Sequence, residues 1–188
     1  AQAAADTQKQ AEDKAKEDSK DTPKTDTPKV GDTATVGKFV FKVASAKNAT
    51  LIKPVKKTNK KVTIPTSVKI KGKSFQVTAI ANNAFKNNKK LTKIVVPASV
   101  TTIGKNAFKG CAAAKSITIG KKVKTIGASA FFGCKKAKNL IIKGTAIKKF
   151  GKKAFAKTGI KKLIVSNKKK KAAYKKKLIK AGMSKKAK

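Results

Sequence analysis

The chain has 188 residues, enough for one domain with a tail or cap, and its charge is lopsided: 49 Lys+Arg against 8 Asp+Glu, with no His. Every cation is lysine, and the acids Asp6, Glu12, Asp13, Glu17, Asp18, Asp21, Asp26 and Asp32 leave residues 33–188 with 43 lysines and no side-chain carboxylate. That body lacks the usual general acids and bases, metal carboxylates and metal imidazoles, and it cannot build internal salt bridges.

Residues 1–30 are mostly Ala, Lys, Asp, Glu, Thr, Gln and Pro, with Val30 the one large apolar side chain. Such a stretch buries too little surface to offset its ordering entropy, so it is expected to be a low-complexity, disordered leader or linker. Pro23 and Pro28 extend its second half into a spacer. The opening Ala1-Gln2-Ala3, without Met, fits an exported chain whose signal has been removed, and equally a chain trimmed in another way. Nowhere do the roughly 18 consecutive apolar residues of a membrane helix occur.

From Gly31 the apolar residues take a period of two. Val36, Phe39, Phe41 and Val43 predict a half-buried strand, Asn48 and Ala49 a turn, and Thr50-Leu51-Ile52 a return strand. Ser67–Ile70 and Ser74–Val77 flank Lys71-Gly72-Lys73, which reads as a hairpin with a three-residue loop. Residues 31–80 are thus expected to form a β-rich N-terminal cap that merges into the first coil.

Residues 81–166 repeat with a 23-residue period. Leu91, Ala114, Ala137 and Ile160 form one column; Ile94, Ile117, Leu140 and Leu163 a second; Val96, Ile119, Ile142 and Val165 a third. Phe85, Phe108, Phe131 and Phe155 recur after Ala84, Ala107, Ala130 and Ala154, and Ile80, Ile103, Ile126 and Phe150 make a further column. One extra residue in Lys143-Gly144-Thr145-Ala146 accounts for the single 24-residue step. Apolar residues at fixed offsets in a period of about 20–29 specify a leucine-rich-repeat solenoid. The expected fold is of the α/β class, mainly short parallel strands in a right-handed coil. An N-terminal β-hairpin and a C-terminal helix are expected to cap it. Each coil supplies a strand such as Ile117-Thr118-Ile119, and stacked strands lie roughly 4.8 Å apart. No coil buries its own face alone.

Residues 167–188 are expected to form a capping helix with a basic tail. Asn167 is a suitable N-cap, Lys168–Ala181 the helix and Gly182 its stop, with Tyr174, Leu178 and Ala181 as the stripe that covers the last coil. A lysine-rich helix of this kind also suits an anionic membrane surface.

Ile94-Val95-Val96-Pro97-Ala98-Ser99-Val100, Thr102-Ile103-Gly104, Asn106-Ala107-Phe108 and Gly110-Cys111 recur as Ile117-Thr118-Ile119, Val123, Thr125-Ile126-Gly127, Ala130-Phe131 and Gly133-Cys134. Over about residues 61–166 this pattern resembles the BspA-like class of leucine-rich repeats. The ending, with Tyr174, Leu178 and Ala181-Gly182, is similar to that of lysine-rich surface proteins of gut Firmicutes that carry these repeats. The resemblance implies an exported or surface-attached protein, as members typically are, and some members are implicated in adhesion to host matrix proteins or other cells. It brings no catalytic residues and no cofactor. Family repeats usually begin with Leu, so Ala114 and Ala137 imply two less well packed coils.

The residues offer no catalytic constellation. No lysine lies in an apolar run that would desolvate it into a nucleophile, and Lys143-Gly144-Thr145 lacks the Ser-x-x-Lys partner of the enzymes that use such a triplet. Cys111 and Cys134 share a column in adjacent coils. They are read as free buried thiols, with a disulfide the weaker alternative because side chains on stacked coils run parallel. The candidate binding face is the concave side of the short strands. Thr63, Val95, Thr118, Ile141 and Ile164 are expected to point outward there, as are Lys93, Ser116, Asn139 and Lys162. Among these, Lys93, Val95, Asn139, Ile141, Lys162 and Ile164 are the candidate contacts. The competing explanation is that β-branched residues stand there because strands favour them.

The lysine excess either attracts an acidic partner or serves only to solubilise the chain. Forty-three lysines would bind nucleic acid without specificity, but there is no Arg to read bases and the repeated Phe are core residues. The expected function is a non-catalytic cell-surface module, extracellular, for adhesion to a host or bacterial surface protein or glycan or to an anionic cell-wall polymer. The alternatives are a non-specific polyanion (nucleic-acid) binder and a structural spacer without a dedicated ligand.

Overall fold

A computed structural model describes residues 27–57, 60 and 63–188; most of the expected leader, residues 1–26, lies outside them. The N-terminal part is an antiparallel meander of β1 (Thr33–Val36), β2 (Phe39–Val43) and β3 (Asn48–Pro54). Its alternation is that of the sequence, with Phe39, Phe41 and Val43 buried. Asn48 and Ala49, however, belong to β3, where Ala49 is fully buried opposite Val43, and the bend falls on residues 45–47 instead. A small buried Ala fits between strands as well as it fits a turn.

The hairpin of β4 (Ser67–Ile70) and β5 (Lys73–Ile80) forms where expected, but its loop has two residues. Ile70 pairs with Lys73, and Lys71 and Gly72 take φ 48° and 77°. Positive φ at both central residues is the type I′ turn whose twist suits a two-residue hairpin, so Lys73 is free to begin the strand.

β5 links the cap to the coils. It pairs parallel with β3 on one side, while Ala79 and Ile80 begin a parallel ladder through β7 (Thr102–Ile103), β9 (Thr125–Ile126) and β11 (Lys149–Phe150). The cap and this ladder make one eight-stranded sheet. A separate four-stranded parallel sheet stacks β6 (Lys93–Val95), β8 (Ser116–Ile119), β10 (Asn139–Ile142) and β12 (Lys162–Val165). Residues pair in the 23-residue register, Ile94 with Ile117, Ile117 with Leu140 and Leu140 with Leu163.

Between the two ladders each coil makes a tight turn around its Phe. Phe85, Phe108, Phe131 and Phe155 stack as near-parallel rings, with centroids 5.0, 5.3 and 5.1 Å apart. Phe39 closes the stack edge-on at 6.2 Å. Asn106 (φ 57°) and Gly110 (φ 74°) are left-handed here, and their N–H groups reach the next coil at Ala128 O (2.9 Å) and Phe132 O (2.8 Å). Where the chain leaves the β7–β9–β11 ladder it touches its neighbour. A Cβ on Gly127 would lie 2.6 Å from the Gly104 carbonyl carbon, so no larger residue fits. Ala114 and Ala137, which begin two coils, are fully buried.

At the far end, α1 (Lys171–Lys180) follows a 3₁₀ turn at Lys168–Lys170. The expected helix is therefore 3₁₀ in its first turn, and Asn167 stands before it without a side-chain capping bond. Tyr174, Leu178 and Ala181 are buried against the last coil, and Phe155 N–H donates to Ala181 O at 3.0 Å. The helix stops as expected at Gly182 (φ 94°). Gly182 N–H bonds Ile179 O and Met183 N–H bonds Leu178 O, each at 2.9 Å, a Schellman closure. The basic tail folds back: Met183 and Ala187 are buried, and Lys188 exchanges backbone bonds with Lys161 (2.8 Å) and Leu163 (2.6 Å). No helix among the described residues is long and apolar enough to cross a membrane.

Candidate binding face

The four-stranded sheet turns Ile94, Ile117, Leu140 and Leu163 inward, and alternation turns their neighbours outward. All six candidate contacts lie on that outer face in two rows. One is Lys93, Ser116, Asn139, Lys162; the other is Val95, Thr118, Ile141, Ile164. Thr63, expected at the head of the second row, is in no strand, and the sheet starts at Lys93. The second row is not uniform. Thr118 is only 7% exposed, because Val95 and Ile141 flank it one strand away on either side. Val95 and Ile141 are half-buried, while Ile164, with a neighbour on one side only, is 40% exposed. The most exposed apolar side chain of the row is thus Ile164, on β12.

Three surface depressions lie around this end of the solenoid. One of about 590 Å³ is lined by Leu163, Ile164 and Val165 of β12, of which Ile164 alone is exposed, and by Lys161, Lys162, Lys168, Lys171 and Lys188. A second, about 610 Å³, lies beside Asn139 and Gly159 among Lys115, Lys135, Lys136, Lys138 and Lys161. The third, about 730 Å³ and wide open, has Lys121, Lys143, Lys168 and Lys169 around Gly144, Thr145, Ser166 and Asn167. Sequence reasoning missed this arrangement of lysines, although Lys115, Lys138 and Lys161 carry the same 23-residue spacing as the core. Repetition at exposed positions was the available signal.

Cys111 and Cys134 are buried and unpaired. Each continues the Phe turn by three residues, in a column that Asn88 begins and Thr158 ends. Cys111 Sγ donates to Phe85 O at 3.2 Å, Cys134 Sγ to Phe108 O at 3.4 Å, and Thr158 Oγ1 to its own coil's Phe155 O at 2.8 Å. Burial pushes the Cys111 thiol up to about 12 and raises that of Cys134 as well, so neither is a nucleophile at neutral pH. Asp32 carries the one side-chain carboxylate among the described residues. Its pKa is lowered by the Lys29 backbone N–H and by Lys71, whose Nζ lies 3.3 Å away. Among the described residues no group of His, Cys, Asp or Glu is arranged to hold a metal ion.

Comparison with known proteins agrees with this architecture. A search of the curated proteins finds no match. Among solved structures, a leucine-rich repeat protein from Bacteroides capillosus superposes with a TM-score of 0.64 at 25% identity, over 72% of this chain and 99% of that one. One from Bacteroides ovatus gives 0.63 at 25% identity, over 70% of this chain but 37% of its own length. The pneumococcal vaccine antigen PcpA shares the fold, with a TM-score of 0.60 at 24% identity, over 73% of this chain and 31% of that one. The BspA type leucine rich repeat region is matched by residues 56–176 in six copies, two more than the four coils whose columns are plain to the eye. The chain belongs to the BspA-type leucine-rich-repeat family.

Proposed function

We propose that this chain is a non-catalytic binding and adhesion module of the cell surface. It docks a protein or glycan partner on the outer face of the four-stranded sheet, and its lysines draw it toward anionic wall polymers. The observation that carries this reading is the Val95–Ile141–Ile164 row. Its three apolar side chains reach the surface, Ile164 on β12 the most, and are bordered by Lys93 and Lys162, with a depression at the β12 end of the row. A few buried apolar anchors inside a polar rim supply most of the energy of a protein contact. The body has no carboxylate or imidazole for acid–base chemistry, which supports a binding role over a catalytic one. Family membership supports the surface location, as the resemblance implies.

The test is the double variant Ile141→Asp, Ile164→Asp, applied with the wild type to immobilised host extracellular-matrix preparations. At least about a tenfold loss of binding is expected from placing charges in the apolar centre of a contact, with the thermal midpoint recorded so that binding is compared where both proteins are folded. Equal binding by the two proteins would sink the face as the contact surface. Cell fractionation tests the location: the chain is expected outside the cytoplasmic membrane, and a wholly cytoplasmic pool contradicts it.

A further inference from the structure

The geometry points to a lysine trough along the solenoid axis, beside the outer face, as the seat of a linear polyanion; this inference rests on the polymer half of the reading above. Lys115, Lys138, Lys161 and Lys188 follow one another coil by coil. Lys138 N–H donates to Lys115 O (3.0 Å), Lys161 N–H to Lys138 O (2.8 Å), and Lys188 N–H to Lys161 O (2.8 Å). The first three come from the repeat. The fourth is delivered by the tail, which folds back after α1 and puts a lysine on the next rung. All four are exposed.

These lysines line two adjoining depressions of about 610 and 590 Å³ that share Lys161 and carry nine lysines between them. Among the described residues none of the nine is in an ion pair, and residues 33–188 offer no side-chain carboxylate to pair with them. Successive rungs lie about 4.8 Å apart, so the column spans about 14 Å. Ammonium groups brought to that spacing would repel by roughly 1 kcal/mol per pair even in water. The fold does not require that cost. Thr92 occupies the rung before Lys115, accepts its N–H at 2.7 Å, and serves the ladder equally well.

A small anion covers one rung, whereas a chain bearing a negative group every few ångströms covers all four. Lysine without arginine suits it: mobile point charges follow a flexible polymer, with no demand for bidentate geometry. The ligand class is therefore a linear polymer of phosphate or sulfate groups. On the opposite side, the matching column runs Thr101, Lys124, Lys148 and lines none of the three depressions.

The experiment compares two triple variants of equal charge. One replaces Lys115, Lys138 and Lys161 by Thr, the residue the preceding rung already holds. The other replaces Lys105, Lys124 and Lys148 by Thr. Binding of inorganic polyphosphate and of heparin is measured against salt, with thermal midpoints recorded for both variants. The trough variant is expected to lose at least about tenfold in affinity for one or both polymers, with the log–log salt slope falling by about three, while the control stays within about threefold of wild type. The polymer that suffers the larger loss identifies phosphate or sulfate as the ligand group. Equal losses in the two variants would overturn the trough and leave the diffuse lysine attraction intact. Orthophosphate binding as tightly as polyphosphate would overturn the linear-polymer claim. A wild type that binds neither polymer at low salt would overturn the trough and the polymer half of the proposed function together, leaving the outer-face contact to its own test.

Discussion

The two sides of each coil obey different rules. On the turn side the four coils repeat one residue, Phe85, Phe108, Phe131 and Phe155, with rings buried and stacked 5.0 to 5.3 Å apart. On the outer face of the four-stranded sheet the equivalent positions read Val95, Thr118, Ile141 and Ile164, with no residue fixed in every coil and exposure ranging from 7% at Thr118 to 40% at Ile164. An internal repeat shows the same position several times over. Where stacking demands one shape the residue recurs, and where solvent is the neighbour it drifts toward other demands.

Mutation breaks or sharpens that contrast. Phe131 has a ring on each side, so Phe131→Ala removes both stacks and is expected to cost about 3–5 kcal/mol in denaturant unfolding. Ile141→Ala on the outer face is expected to cost less than about half of that, because its side chain is only half-buried. Similar losses at the two positions would erase the distinction between the sides.

The glycines sharpen it next. Gly127→Ala puts a Cβ 2.6 Å from rigid backbone and is expected to cost roughly 3 kcal/mol or more. Gly133→Ala meets nothing nearer than 3.8 Å but must hold φ 73°, and is expected to cost only about 1–2 kcal/mol. The reverse order in unfolding midpoints would mean that the coils are not packed backbone to backbone at Gly127.

A smaller effect concerns pH. The Cys111 thiol is neutral in the fold, its pKa raised by burial from 9.0 to about 12, whereas an unfolded thiol ionises near 9.0. Its contribution to stability is therefore complete below pH 9 and is lost as pH rises from about 9 toward 12; Cys134 acts in the same direction. A variant without the thiols isolates this contribution. The wild type is expected to lose stability against Cys111→Ala, Cys134→Ala between about pH 9 and 12. Parallel curves would mean that the thiols are not sealed in the core.

Most of the coil was legible because burial in stacked turns forces identical spacing on Ile94, Phe108 and their equivalents. The six candidate face residues could be placed by strand alternation alone. What was not legible depended on geometry that no period carries. Lys71 takes a left-handed conformation usually left to Gly, which shortened the hairpin loop by one residue. Thr102–Ile103 and its equivalents form a second ladder of two-residue strands, too short to show alternation. The return of Met183, Ala187 and Lys188 onto β12 was hidden in a segment that reads as a basic tail. Only the finished surface shows that lysines 23 residues apart share a depression.

The central claim is that an interior of stacked apolar columns holds the body together against unopposed lysines. Its most direct test is the thermal midpoint as sodium chloride rises from about 0.02 to 0.5 M, a range over which the screening length falls from roughly 20 Å to under 5 Å. With no side-chain carboxylate in residues 33–188, added salt screens repulsion and the midpoint is expected to rise steadily. A midpoint that stays level or falls would contradict the account, because it would mean that attraction between charges, and not burial alone, holds the coils together.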